Sequence, residues 1–294
     1  MRTLVLAAAF ALVATPALAQ EAPAPADVER PSDTHNWTRS QNNRVGLEVD
    51  LFSSSQKGRV FGETFEFSSL GLPITPVLQL ELIENLYLDV EIPLGYGSVS
   101  NNGDSTGGFV FGNPTLGAHY AAALSDSLTF HVGGTVSIPT IHDPDEEQGI
   151  AASFSAITRA QYDIYRFIPE SIGVRARGGV EVRILPYLYY RGDIAPTVFI
   201  PTGDDEAEIL IDQGNEIEAR SEGGFGGGLR FQASFLLTDD DLVQTALEPF
   251  VSYEPKPSGL YARLGMLIAL DETLGFGFDE GKVLSGRLGI GYKW

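Results

Sequence analysis

Imidazole titrates near neutrality and is a common metal ligand, so the four histidines are the first candidates for chemistry: His35, His119, His131 and His142. His119 and His131 flank a turn near Asp126. Counting back from that turn puts His131 opposite Ala121, two residues from His119, so the rings are expected as diagonal neighbours on one sheet face. Spacing fixes no third ligand, and no metal site is expected. The absence of cysteine excludes thiolate metal sites, a Cys nucleophile and a disulfide scaffold. A hydrolase of the Ser-His-carboxylate kind needs those groups close together. Neither strand histidine has Ser two positions on: Ala121 follows His119 and Gly133 follows His131. His142-Asp143 is the sole adjacent His–Asp pair. Acidic runs (Asp143, Asp145, Glu146, Glu147; Asp204, Asp205, Glu206; Asp239, Asp240, Asp241; Asp279, Glu280) lack the Asp-x-Asp-x-Asp-Gly spacing of a calcium loop. The glycines Gly223, Gly224, Gly226, Gly227 and Gly228 are read as lying within a strand, not as a phosphate loop. No enzymatic activity and no cofactor are expected.

Charge is the larger signal. The chain of 294 residues has 19 Lys+Arg against 39 Asp+Glu, a formal charge of -20. That balance argues against nucleic acid, whose phosphates need clustered cations. A hydrophobic content of 43% argues against general disorder. Many of the charges recur at every second position, opposite apolar residues. On these faces Arg175, Arg177, Arg183, Arg191, Arg220, Arg230, Arg263 and Arg287 share the polar side with Glu48, Asp50, Glu81, Asp89, Glu91, Glu181, Asp193, Glu218, Glu222 and Glu248. His119 and His131 lie on the same side. Early strands contribute mainly acids and later strands most arginines.

The elements that carry these charges are strands. In residues 86–96, Leu86, Leu88, Val90, Ile92, Leu94 and Tyr96 alternate with Tyr87, Asp89, Glu91, Pro93 and Gly95. A strand turns its side chains to opposite faces in succession, so one face is apolar and the other polar. Residues 45–51 and 283–294 alternate likewise, as do about 76–83, 108–124, 127–138, 172–184, 188–200, 206–213, 216–236, 243–253 and 259–270, giving about twelve strands. Short links are expected at Glu84-Asn85, Ser125–Ser127, Leu185–Tyr187, Gln213–Asn215 and Pro255–Ser258. Longer ones are expected at about 54–75, 98–107, 139–171, 201–205, 237–242 and 271–281. In 139–171, Phe154, Ile157, Ala160, Ile164 and Phe167 have near-helical spacing, which suggests a long outer loop with a short helix. Counting that segment as strands instead would give fourteen.

The ends point to an envelope. Arg2, the apolar run Leu4–Ala14 and Ala17-Leu18-Ala19 read as a secretory signal, residues 1–19. Residues 20–43 are Ala/Pro-rich and then polar, and read as a linker before a fold over 44–294. After the signal no apolar run approaches the ~20 residues of a membrane helix, but a closed barrel crosses with strands instead. The chain ends with Leu288, Ile290, Tyr292 and Trp294 at alternate positions. This resembles the C-terminal assembly signal of Gram-negative outer-membrane β-barrel proteins, in which the last residue is usually Phe.

The resemblance implies an all-β, transmembrane, antiparallel up-and-down barrel in the cell outer membrane. It also implies recognition by the barrel-assembly machinery, and a last strand ending in the periplasm. Bilayer lipid and lipopolysaccharide are the expected surroundings, and a chain of this length closes the barrel alone as a monomer. Two functions stay open. One is a passive, porin-like channel for small polar or charged solutes, lined by Glu48, Asp50, Asp89, Glu91, His119, His131, Arg175, Arg177, Glu181, Arg191, Asp193, Arg230, Arg263 and Arg287. The other is a non-conducting structural or envelope-interaction barrel plugged by salt bridges among those residues.

Overall fold

The computed structural model describes residues 42–60, 63–238, 243–255, 258–271 and 283–294. The expected signal, 1–19, the expected linker up to residue 41, and the acidic runs 239–241 and 279–280 lie outside the described residues. Fourteen strand segments form one antiparallel sheet: β1 (Arg44–Val60), β2 (Glu63–Ile83), β3 (Leu86–Glu91), β4 (Leu94–Asn101), β5 (Asp104–Phe111), β6 (Thr115–Ser125), β7 (Leu128–Ser137), β8 (Ser171–Leu185), β9 (Leu188–Pro201), β10 (Glu208–Arg220), β11 (Phe225–Leu236), β12 (Val243–Tyr253), β13 (Leu260–Ala269) and β14 (Leu284–Lys293). The sheet closes on itself because β1 pairs both β14 and β2.

The barrel has twelve staves, with two extra strand segments. Those segments come from two interruptions. β2 pairs β3 up to Val77↔Glu91 and then β4 from Ile74↔Leu94, so β3 and β4 form one stave broken at Ile92-Pro93. β5 and β6 form the next, broken at Gly112–Pro114. Proline has no N–H for the ladder, which is why each break contains one. Beyond the breaks, the β1–β2 and β4–β5 hairpins rise above the rest of the wall. The region 54–75, expected as a loop, is therefore mostly hairpin. Its serines look loop-like because past the bilayer neither strand face needs to be apolar.

The connections alternate as expected. Glu84-Asn85, Asp126-Ser127 and Pro186-Tyr187 are tight turns at the end where β1 begins and β14 ends. The turn expected at Gln213–Asn215 is absent. β10 runs straight through it, and the turn falls at Ser221–Gly224 with Gly224 at φ +86. Gly223 and Gly224 therefore belong to this turn, and only Gly226–Gly228 to β11.

Polarity is inverted relative to a soluble barrel. Leu116, Ile194, Ile217, Leu229, Leu264 and Leu288 stand exposed on the outside, with Leu88, Val90 and Ile92 on the same side. Charged residues are buried inside. An exposed apolar band of this extent requires lipid. Among the described residues no helix is long and apolar enough to cross a membrane. Leu288, Ile290, Tyr292 and Trp294 all face outward, and the Tyr292 and Trp294 rings stack at 6.2 Å. Leu288→Arg, opposite Leu264 in the ladder, should destabilise the folded barrel by about 2–4 kcal/mol near the bilayer midplane. Urea unfolding in lipid vesicles measures this.

Candidate functional site

The interior is built by the inward-facing residues of each stave, and register sorts them into levels. β1 rises from the terminus end through Glu48 and Asp50 to Phe52, and β13 through Arg263 to Leu267 and Ala269. β12 and β10 descend from Ala246 to Glu248 and from Leu210 through Asp212 to Glu216 and Glu218. The upper level is thus apolar and the lower level ionic.

In the lower level the charges are paired. Arg191 bonds Glu181 at 2.9 Å and Glu218 at 2.9 Å, and also pairs Glu216. Arg263 bridges Glu216 at 2.8 Å and Glu248 at 3.1 Å, its guanidinium 3.6 Å from the Phe250 ring centroid. Arg230 holds Asp193 at 2.9 Å, and Arg175 holds Asp212 at 2.9 Å. Arg177 pairs Asp89. Arg287 lies 3.6 Å from Glu48, Asp50 and Glu248. The fourteen residues expected to line the channel are inside, Glu181 the least buried of them; of the other charges expected on the polar face, Glu81 and Glu222 are exposed. Asp212 and Glu216 were missed because the misplaced turn at 213–215 cut their strand. Gly214 sits there for another reason: a Cβ would collide with the Arg230 guanidinium and with Asp193.

The two histidines do not form a joint site. The register places His131 opposite Ala121, as counted. His119 turns toward β3, its Nδ1 donating to Asp89 at 2.8 Å and its ring stacking on Tyr87 at 5.1 Å. His131 lies over Gly179 of β8. No group of three or more candidate metal ligands occurs among the described residues.

The largest departure is the segment 138–170. The link 139–171 was expected as an outer loop with a short helix; the helix is present, but the segment folds into the barrel. Helix α1 (Glu146–Ile157) starts at Asp145, whose side chain accepts from the Gln148 backbone N–H at 2.8 Å, with Glu146 and Glu147 at its positive end. Its Ala151, Ala152 and Ser155 lie against β4 and β5. A Cβ on Gly97 would come 2.7 Å from the Ala151 Cα, so glycine is what lets the helix backbone sit on the wall. Phe154 and Ile157 then pack on Phe52, Ala246 and Leu267 of the upper level. Tyr165, Ile164 and Ile168 pack on Phe199 and Leu210.

Below the helix the chain reaches the ionic level and crosses it. Arg166 donates to Glu48 of β1 at 3.1 Å and to Glu91 of β3 at 3.4 Å. The Tyr165 hydroxyl donates to Glu91 at 3.0 Å, and Arg175 of β8 lies 4.1 Å from the Tyr165 ring centroid. On the far wall the Tyr162 hydroxyl bonds Asp193 at 2.7 Å and receives Arg230 at 2.6 Å. Gln232 donates to the Arg159 carbonyl at 2.9 Å. Arg159 pairs Asp163. Burial, with help from neighbouring Arg287, lowers Arg159 to about 10, so it stays a cation at neutral pH.

One residue clamps the segment to the wall. Asn113, fully buried in the break between β5 and β6, donates through Nδ2 to the carbonyls of Ile168 (2.7 Å) and Tyr165 (3.2 Å). Its Oδ1 accepts from the Thr140 N–H at 3.1 Å, and its own N–H donates to the Arg166 carbonyl at 2.7 Å. Gly112-Asn113-Pro114 inside an otherwise alternating stretch was the signal for this break.

Comparisons with known proteins agree on the fold. No family model matches the chain, and no curated protein matches it in sequence. Among solved structures it is similar to an outer membrane channel from Pseudomonas putida F1, with 12% identity over 90% of this chain and 100% of that one, and a TM-score of 0.58. The KdgM porin gives 6% identity over 84% of this chain and 99% of that one, with a TM-score of 0.46. The translocator domain of the autotransporter NalP from Neisseria meningitidis gives 13%, over 87% and 90%, with a TM-score of 0.46. The first shows the fold, that of an outer-membrane β-barrel; the other two are too distant in shape to add to it.

Arg230→Gln should cost about 3–5 kcal/mol, because it leaves Asp193 buried beside Tyr162 without its cation. Adding Asp193→Asn should recover part of that loss. Chemical unfolding of the single and double variants measures the recovery.

Proposed function

We propose that the protein is an outer-membrane channel for small polar or charged solutes, held closed at rest by the inward-folded segment 158–168. The observation that carries this reading is how the segment is attached. Its deep part is tied to the wall by ion pairs and hydrogen bonds at Glu48, Glu91, Asp193 and Arg230, and by the Asn113 clamp. Buried ion pairs roughly break even against hydration, so water can take over these contacts if the segment withdraws. The wall behind it is hydrophilic, which suits a water-filled path. The channel architecture of the P. putida barrel supports the same reading.

The segment enters from the long-link end, opposite the termini. With the terminal aromatic pattern at Trp294 serving assembly, the termini face the periplasm and the gate opens from outside. Insertion would proceed through the barrel-assembly machinery, into a membrane whose outer leaflet is lipopolysaccharide, as a monomer. The rival reading, a permanently plugged structural barrel, uses the same ion pairs and differs only in whether the segment leaves.

Planar-bilayer recording separates the two. Wild-type protein should show rare, brief openings. Asn113→Ala, which removes the clamp and leaves every charge in place, should raise the open fraction at least several-fold. Gly97→Leu, which pushes α1 off the wall, should do the same. Silence from wild type and both variants, with all three folded and heat-resistant, would reject the channel.

A further inference from the structure

The lipid-facing side of β10 carries two amides in an apolar row. Its outward residues are Ile209, Ile211, Gln213, Asn215 and Ile217, alternating with the inward Leu210, Asp212, Gly214 and Glu216. Gln213 is exposed near the middle of the strand, with isoleucines on the same face toward both ends. Its ladder neighbours on that face are Ile194 of β9 and Ala233 of β11. Lipid tails neither donate nor accept hydrogen bonds, and glutamine is too short to carry its amide from this depth to the headgroups. Among the described residues the Gln213 amide makes no hydrogen bond, and that of Asn215 makes one, accepting from the Tyr190 hydroxyl at 2.8 Å. Tyr190 pairs Ile217 in the ladder, one step nearer the tight turns than Asn215. Its ring lies along β9 over Gly192, where a Cβ would come 2.8 Å from the hydroxyl. The hydroxyl thus points into the bilayer, whereas a lipid-facing tyrosine ordinarily turns it to the interface. The result is a polar spot at mid-depth, bordered by the small residues Gly192 and Ala233.

We propose that this spot is the centre of an interface with a second copy of the chain, β10 beside β10 about a two-fold axis along the membrane normal. Depth selects the partner. Copies inserted in the same direction carry Gln213 at the same level, whereas the polar groups of lipids lie at the two surfaces. Chemistry agrees, because a carboxamide both donates and accepts and is therefore its own complement. Such self-complementarity is what a two-fold interface requires. Shape agrees too: Gly192 and Ala233 leave the wall low beside the amides, so a second wall can approach closely enough for Gln213 to meet Gln213 of the other copy. Each barrel closes and inserts alone, and pairing follows insertion. The inference does not depend on whether the lumen conducts.

The chain has no cysteine, so a single introduced one reports its own contacts. In outer membranes under mild oxidation, Ile211→Cys, one outward step from Gln213, should cross-link to a second copy. Leu264→Cys, lipid-facing on β13 and far round the wall, should not. Adding Gln213→Leu to Ile211→Cys should remove most of the cross-link. Sedimentation equilibrium of the folded full chain in density-matched detergent should show a monomer–dimer equilibrium, weakened about tenfold by Gln213→Leu. The same variant should resist heat at least as well as wild type, because leucine suits lipid better than an unpaired amide does. A loss of heat resistance would assign Gln213 to the single barrel and reject the interface. Wild type that is monomeric at every concentration, equal cross-linking from the two cysteines, or association unchanged by Gln213→Leu would overturn it as well. Cross-linking of Ile211→Cys to a different protein would reject the second copy as the partner.

Discussion

The structure is governed by one constraint: charges that point into a narrow closed barrel have nowhere else to go. A twelve-stave wall leaves an interior that long side chains can span. A buried ion costs several kcal/mol unless it is paired and hydrogen-bonded. Arg191, Arg230 and Arg263 accordingly share Glu216 among them, and each has at least one further carboxylate. The same constraint explains why the segment 158–168 goes inward. The wall around β1 and β3 carries Glu48, Asp50, Asp89 and Glu91, and Arg166 adds a cation between Glu48 and Glu91. The acidic-to-basic asymmetry around the barrel is thus compensated by chain folded in from outside.

Position along the barrel axis then decides which forces act. Near the long-link end the inner wall is apolar, and α1 and its flanks bury Phe154, Ile157 and Ile164 there at roughly 25 cal/mol per Å². Close approach matters as much as area. Gly97, and likewise Gly71, puts wall backbone against helix backbone, where any side chain would hold the helix off and lift the whole segment from the ionic level. Asn113 sits at the junction of the two regimes, where a proline-containing break has freed backbone groups to bond the segment.

Much of this was legible in the sequence because period-2 alternation is a direct image of a wall with two solvents. The inward residues from Glu48 to Arg287 followed from parity alone. Where the reading failed, composition had outweighed pattern. Gln213-Gly214-Asn215 looks like a turn, yet Gly214 makes room for Arg230, and Glu216 beyond it is shared by Arg191, Arg230 and Arg263. Pro93 and Pro114 were read through as strand although each ends a ladder. The spacing of Phe154, Ile157, Ile164 and Phe167 revealed an apolar stripe, but a stripe does not state which surface it meets. A loop packed on the inside of a barrel and a loop packed on itself have the same period. Arg159, Tyr162 and Arg166 were overlooked for that reason, since their partners lie on strands far away in sequence and only closure of the barrel brings them near.

Whether such an interior is a plug or a gate turns on what each contact exchanges when it breaks. Withdrawal of an apolar helix into water forfeits its burial outright. Withdrawal of Arg166 from Glu48 and Glu91 returns three ions to water and recovers the hydration that pairing had cost. The deep ties therefore hold position with little net energy, while the upper apolar contacts and the Asn113 hydrogen bonds supply most of the holding force. A segment fastened mainly at its top and merely registered at its bottom can be released by loosening the top. The pairs that fill the lumen are thus compatible with withdrawal of the segment.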